Sequence, residues 1–386
     1  MIIGPLGPTQ LSCLASWRAQ GLQSVFVQTE GPKPWGIGNL ASVHLHRSIQ
    51  SLRTESGIHW LREQICAHRV SGVTCVGDEL ALSLHEALAP LANVGRWLAP
   101  AQAIRSLMSK CLQVERAAAC GFEVLPTWEI CSLADADRLP RSAFPLVVRP
   151  DTPQSVRPGF KVELWNDVEQ AKRFIGQREC VSSPMIAQRF VKGPNILIHG
   201  HRSNDGSRQG FSAFLVPRKH LGVAVELLPW QLPSGLEQAC SKFASAFSLQ
   251  GVFHFDLLLD ESDGKVYFME VNARLGGTTG KVSALGLNEP AQLLSAFGAL
   301  PPLPATSTSA RRAYNLQAAL KYWWSACRGD LSLLDFPCAG PIEATWALLR
   351  LLVRGREEIG LTRQPGAAIA YHSQKVASLW SARAVR

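Results

Sequence analysis

Asp256, Glu270 and Asn272 are the residues of this chain whose types and spacing offer chemistry. They lie on two apolar runs, "VFHFDLLL" (252–259) and "VYFMEVN" (266–272). Two carboxylates and an amide on neighbouring strands suit a hard divalent cation. Mg²⁺ in particular combines one or two protein carboxylates with substrate phosphates. A solvated strand face with ordinary acids is the plainer alternative. Carboxylates set among Phe, Met and Val are costly when unpaired, which favours the cation. The continuation "RLGGTTGK" (274–281) raises a second alternative, a phosphate-cradling loop. That motif, G-x-x-x-x-G-K-[ST], fails twice: its first glycine would be Leu275 and its hydroxyl residue Val282. Gly276, Gly277 and Gly280 read as an irregular segment rather than as a loop opening a helix.

These side chains need a hairpin to hold them. The two runs alternate around a turn containing Asp263-Gly264. Period two places Val266, Phe268, Glu270 and Asn272 on one face, with Tyr267, Met269 and Val271 on the other. Asp256 shares its face with His254 and Leu258, opposite Phe253, Phe255 and Leu257. The pairing of Asp256 with Glu270 stays open, because the turn length is ambiguous. Leu236, Cys240, Phe243 and Phe247 recur at helical spacing before Gly251. "PMIAQRFVKGPNILIHG" (184–200) predicts two strands around Gly193-Pro194. "FPLVVRP" (144–150) predicts a strand closed by Pro150, followed by the loop "DTPQSVRPGF" and the return strand "KVELW". Leu107, Cys111, Val114 and Ala118 predict a helix ending at Gly121.

The first segment alternates "MIIG", "SVFVQ" and "VTCVG" with helical patterns (Leu11, Leu14, Trp17; Ile58, Leu61, Ile65). That alternation predicts a parallel, doubly wound sheet to about residue 95. The turn "GPLGP" lacks a third glycine, and Pro5 and Pro8 remove backbone donors, so it reads as a sheet-edge turn that binds no nucleotide. "PLPATSTSA" (302–310) reads as a linker to a basic, helical module in which Trp323, Trp324 and Trp346 are expected in the core.

At 386 residues, 46% hydrophobic and 18% charged, the chain suits two or three domains with sizeable cores. No apolar stretch is long enough for a membrane span, and the start shows no signal-peptide pattern. Ten cysteines without a C-x-x-C pair suggest neither a zinc knuckle nor a disulfide framework, and a cytoplasmic location is expected. The net charge of +9 is dispersed. It fits an anionic small molecule better than a nucleic acid, which would favour a basic stripe.

The hairpin "HFDLLLD…VYFMEVNARLGG" resembles the metal-binding end of the ATP-grasp superfamily, specifically its carboxylate–amine ligases. "MSKCLQVERAAACGFEVLPTW" (108–128), "FPLVVRP" and "IAQRFVKGPN" (186–195) extend the resemblance over roughly residues 1–300. The resemblance implies an α/β ATP-grasp fold. It would comprise a doubly wound pre-ATP-grasp domain (1–100), a two-subdomain ATP-grasp domain (101–305) and a small, mostly helical C-terminal module (306–386). It implies ATP, and two Mg²⁺ ions (with Mn²⁺ as a substitute) on Asp256, Glu270 and Asn272. Lys110 and Arg149 would contact phosphate, and Arg274 the phosphate or the reacting carboxylate. Gln188, Phe190 and Val191 would lie near the adenine, with Asn195 at the ribose.

The chain departs from the family pattern at Ser109, where Asp is usual, and at Arg149, where Lys is usual. Asn195 replaces an acid, and residues 151–160 hold one glycine, with Arg157 available to replace backbone donors. The implied reaction joins a small carboxylate, such as an amino acid, to an amine through an acyl phosphate. A binding protein without turnover, or acyl or carbamoyl transfer to another acceptor, stays open. His220 and Glu226 are candidates for the base. Small-molecule partners are expected, a homodimer is compatible, and neither nucleic acid nor membrane is expected.

Overall fold

The computed structural model describes residues 1–31, 40–153, 155–303, 310–360, 365–366, 368–369 and 371–373. Three of its first strands, Ile2–Gly4, Val25–Gln28 and Gly72–Cys75, are buried along their whole length. Strands covered on both faces belong in a parallel sheet. The sheet runs Val43–His46, Val25–Gln28, Ile2–Gly4, Gly72–Cys75, Gly95–Arg96, every pair parallel. Ile3, Val27 and Val73 face a core shared with Leu61, Ile65, Leu80 and Leu84 of helices Glu55–Ala67 and Asp78–Ala87. Ile2 and Phe26 face the other way, onto Leu11, Leu14 and Trp17 of helix Pro8–Ala19. The sheet is therefore doubly wound.

A four-stranded antiparallel sheet follows, in the order Glu163–Trp165, Leu146–Pro150, Met185–Arg189, Thr127–Ile130. Its core of Leu146, Val148, Trp165, Ile175 and Met185 is its own. The two-residue strand Val156–Arg157 pairs with Glu179–Cys180 beside it.

The largest sheet has eight strands. At its centre Asn195–Arg202 lies between Gln209–His220 and Gly251–Leu259, and Val266–Asn272 pairs with the latter. Helices Lys110–Cys120 and Ser234–Ala246 cover one face. Between them and the sheet lie Phe122, Phe243, Phe255 and Phe268, with Phe122 and Phe268 rings 5.3 Å apart.

The hairpin corrects the simple alternation. Asp256 pairs with Glu270, but the next pair is Leu257 with Phe268, so Met269 has no partner. This one-residue bulge resets the period. Phe268 joins Val271 in the aromatic core, while Glu270 and Asn272 turn away from it; Phe268 and Glu270 do not share a face. Tyr267 also leaves the aromatic core, packing with Leu125, Val191 and Leu258. Without the bulge, the run that buries Phe268 would bury Glu270 as well.

Helix Leu316–Arg328 packs on strand Val223–Trp230, and helix Pro341–Arg354 packs on that helix. Trp323 is half-buried, donating to Thr345 Oγ1 at 2.9 Å. Trp324 and Trp346 are 57% and 65% exposed, contrary to the expectation that they are core residues. No described helix is long and apolar enough to cross a membrane, and all ten cysteines are unbridged.

Candidate functional site

A cleft lies between the four-stranded sheet and the large sheet, and the hairpin forms its floor. Asp256 and Glu270 stand directly across the strand pair. The Asn272 amide donates to both, 3.3 Å to Asp256 Oδ2 and 3.2 Å to Glu270 Oε1. Burial and the charge of Glu270 push the Asp256 carboxyl up to about 8. Two acids this close and only partly exposed resist ionising together. Among the described residues no three His, Cys, Asp or Glu side chains gather as a metal site. A cation here would rest on two carboxylates, the amide and ligand oxygens.

Arg149 reaches in from strand Leu146–Pro150. Its Nη1 lies 3.4 Å from Glu270 Oε2, and its Nη2 donates to Gln188 Oε1 at 3.1 Å. Gln188, on the adjacent strand, is anchored in turn by donating to Thr127 Oγ1 at 2.8 Å. The guanidinium fork thus spans from one wall to the other.

Lys110 is the first residue of helix Lys110–Cys120, and Ser109 caps that helix by accepting from Leu112 N. An acid from elsewhere in the chain reaches the start of this helix. Asp151 Oδ1 accepts from Ser109 Oγ at 3.0 Å and from Cys111 N at 2.7 Å. Lys110 Nζ donates to the Asp151 carbonyl at 3.2 Å. Burial, then the charge of Arg149, lowers the Lys110 pKa. Lys110 borders a small cavity of about 70 Å³ together with Glu270, Asn272 and Asp78.

Arg274 Nε lies 3.1 Å from both Asp78 oxygens, and its Nη2 donates to Asn272 Oδ1 at 2.9 Å. Asp78 was not anticipated from the sequence. It opens the helix after "VTCVG", at the carboxyl end of a parallel strand, where doubly wound sheets place ligands.

The cleft has two lobes. The larger, about 440 Å³, is walled by Leu125, Val147, Phe190, Val191, Leu258 and Met269, with Arg149 and Gln188 at its inner end. The smaller, about 280 Å³, presents His254, Arg274, Thr278 and Lys281 against Leu197 and Val216. Asn195, Lys219, Asp256 and Glu270 line both lobes and mark their junction. Arg157 is exposed and lines neither lobe.

Lys219 is a further unanticipated residue. Its Nζ donates to Asn195 Oδ1 at 2.8 Å. Burial pulls its pKa down to about 8, against the opposing charge of Asp335. Arg274 and Lys281 already hold Asp78 and Glu358. Among the described residues Lys219 forms no ion pair, leaving its charge available at the junction. Pairing irregularities on both sides of Arg218 set its direction, which simple alternation does not reveal.

The candidates for a base lie elsewhere. His220 Nδ1 sits 2.9 Å from Asp335 and its ring meets Tyr322 edge-on, away from the lobes. Glu226 is fully buried between Arg218 and Arg312. His220 neighbours Lys219 in sequence, and adjacent strand residues point to opposite faces.

Two of the three glycines serve packing, Gly276 and Gly280, while Gly277 faces open space at the polar lobe. A Cβ on Gly276 would stand 2.6 Å from His254 Cε1. His254 stacks on His199 with ring centres 5.5 Å apart, and His199 Nδ1 lies 2.8 Å from Glu289. Burial and the neighbouring His199 drive the His254 pKa down to about 3. Gly280 belongs to helix Thr279–Ala284, so this part of the segment is helical rather than irregular.

No protein-family model matches the sequence, and no curated protein is recognisably similar to it. Solved structures do match. Biotin carboxylase from Campylobacter jejuni aligns with a TM-score of 0.64 at 14% identity, over 81% of this chain and 74% of that one. N5-carboxyaminoimidazole ribonucleotide synthetase from Thermus thermophilus gives 0.62 at 15% identity, over 81% of each chain. L-amino acid ligase from Bacillus licheniformis gives 0.59 at 20% identity, over 78% and 74%. These matches over about four fifths of the chain show that it has the ATP-grasp fold, here a parallel sheet followed by a four-stranded antiparallel sheet and an eight-stranded mixed sheet.

Proposed function

We propose that this chain is an ATP-dependent, ADP-forming ligase that joins a small carboxylate to an amine. The observation that carries the reading is the junction of the lobes. There, facing carboxylates on the hairpin meet the Arg149 guanidinium from the opposite wall and the Lys219 ammonium. An apolar lobe leading to such a junction suits a nucleotide, its base among Phe190, Val191, Leu258 and Met269 and its phosphates at the charges. Gln188 and Asn195 offer polar contacts at the edge of the base and at the sugar. The Campylobacter neighbour was solved as an ATP complex, and the biotin carboxylase domain of Hydrogenobacter thermophilus 2-oxoglutarate carboxylase as a dimer with MgADP, ADP and bicarbonate.

Mg²⁺, with Mn²⁺ as a substitute, fits Asp256, Glu270 and Asn272. The mutual repulsion of the two carboxylates in this partly buried site is what a cation would relieve. Ligation by Asn272 requires its amide to turn, since its oxygen accepts from Arg274. When bound, the metal supplies positive charge beside the nucleotide phosphates.

A free carboxylate is a poor electrophile. Its oxygen attacks the γ-phosphorus, the bond from that phosphorus to the ADP oxygen breaks, and an acyl phosphate forms. The amine nitrogen then attacks the acyl carbon, inorganic phosphate leaves, and the nitrogen gives up a proton. Lys110, Arg149 and Lys219 neutralise phosphate charge, and Arg274 orients the carboxylate in the polar lobe. The work is chiefly positioning and electrostatics. Ten unbridged cysteines suit the reducing cytoplasm as its location.

The test is ADP release from Mg²⁺-ATP across carboxylates and amines, singly and in pairs, with product masses. The reading expects ADP with a particular pair and a product one water lighter than their sum. ADP with a carboxylate but no amide in any amine mixture would replace the ligase reading with transfer to another acceptor.

A further inference from the structure

Helix Pro341–Arg354 turns an apolar stripe away from the protein. Ile342, Trp346, Leu349 and Val353 are 77%, 65%, 46% and 80% exposed. Their spacing of four, three and four residues is that of a coiled-coil seam. Ala344 and Leu351, on the opposite side, are buried against helix Leu316–Arg328. The patch is wider than one helix. Trp323 bonds Thr345, which places the neighbouring helix along the Thr345–Leu352 side. Leu352, Trp324 and Leu320 there are 49%, 57% and 43% exposed. Contiguous apolar area of this kind marks an interaction surface.

The charges beside the stripe identify the occupant. Glu343, Arg350 and Arg354 all flank it on the side away from Leu352, are all exposed, and form no ion pair among the described residues. In an antiparallel pair of identical helices, each flank meets the same flank of its partner. Centring a twofold axis on the stripe sets Ile342 against the second copy's Val353 and Trp346 against its Leu349. Glu343 then falls between the second copy's Arg350 and Arg354, twice over. A parallel pair would set Glu343 against the Thr345–Leu352 flank, where helix Pro341–Arg354 itself carries no basic residue. A membrane-binding helix would gain nothing from an acid at its polar boundary.

We propose that this face is the contact between two copies of the chain, an isologous dimer in which the two Pro341–Arg354 helices cross antiparallel about a twofold axis. The contact lies on the outer face of the C-terminal helices, whose inner side packs toward strand Val223–Trp230 rather than the hairpin, so each protomer keeps a whole cleft.

The test is the mass of the full chain by sedimentation, as a function of concentration. The expected result is a species of twice 42.1 kDa. Trp346→Glu with Val353→Glu should raise the dimer dissociation constant on the order of a hundredfold, because buried aromatic anchors dominate interfaces. All these side chains are exposed, and circular dichroism checks that each variant is folded. Glu343→Arg alone, and Arg350→Glu with Arg354→Glu, should each weaken the dimer about tenfold or more, since like charges would then face each other. Combining all three reversals should restore it, which only a self-complementary contact can do. A wild-type monomer at every concentration, a dimer indifferent to the Trp346 and Val353 changes, or failure of the combined reversal to rescue would each overturn the proposal. So would a monomer that binds anionic lipid vesicles through the same residues.

Discussion

The two walls of the cleft are built differently. The hairpin that carries Asp256 and Glu270 lies on Phe122, Phe243, Phe255 and Phe268, in a core that runs on into the N-terminal sheet. The wall that carries Arg149 and Gln188 lies on a separate small core around Trp165 and Val148. Acids therefore stand on the wall backed by the larger core, and the fork that meets them stands on the smaller unit. The acids are near each other whatever the opposite wall does, whereas the pairing of Arg149 with Glu270 exists only while the two walls approach.

Breaking the hairpin wall should have the largest effect. Inserting one alanine between Asp256 and Leu257 gives Met269 a partner, removes the bulge and forces strict alternation on both strands. A one-residue slip sends every following side chain to the opposite face. Either Glu270 enters the aromatic core or Phe268 leaves it. The expected outcome is loss of ADP release to background with a marked fall in thermal midpoint, measured by a coupled ADP assay and calorimetry. Unchanged activity in this variant would refute the link between bulge and site.

Glu270→Gln keeps the wall and removes one charge. ADP release should fall at least about a hundredfold, the scale on which one electrostatic group acts in a preorganised site. Stability should move the other way without metal. The Asp256 pKa is raised to about 8, so its ionisation opposes folding as pH climbs from its ordinary value toward 8. Removing the Glu270 charge relieves that opposition, and the metal-free variant should melt higher than wild type at pH 7. Added Mg²⁺ should raise the melting point of wild type more than that of the variant.

The opposite wall sharpens the contrast. Arg149 spans Glu270 and Gln188 with two arms. A lysine provides the charge and one contact, so Arg149→Lys should cost roughly tenfold in kcat/KM and Arg149→Ala about ten times more. Equal loss in both variants would show that the fork, rather than the charge, is what the site requires.

Legibility in the sequence divides along the same line. Asp256, Glu270 and Asn272 could be picked out because charges inside apolar runs need a reason, and strand spacing brings them near each other. The alternation that selected them also placed Phe268 on their face, because a bulge leaves no mark in a hydrophobic pattern. Asp78 and Asp151 reach the site from distant positions in the chain. Asp151 bonds Ser109 and Cys111 across 40 residues or more of chain, a contact made in space that no local pattern announces. The exposed Trp324 and Trp346 defeat the rule that aromatic residues are buried, because composition does not say which surface another molecule covers.

The smallest expected effect concerns Lys219, chosen by the structure over its neighbour His220. Its pKa of about 8 reflects a charge held out of water without a carboxylate partner. A lysine is charged below its pKa, so an anionic nucleotide meets a cation up to about pH 8 and a neutral amine above it. The kcat/KM for ATP, which reports groups of the free protein, should decline on an alkaline limb beginning near 8. Lys219→Arg keeps its charge through this range and should carry the limb to higher pH. Lys219→Met should be slower by about tenfold at pH 7, the scale of a single charge-assisted hydrogen bond to phosphate, and should lose the limb. If the limb stays near 8 in both variants, another group titrates there and Lys219 is no more than part of the wall.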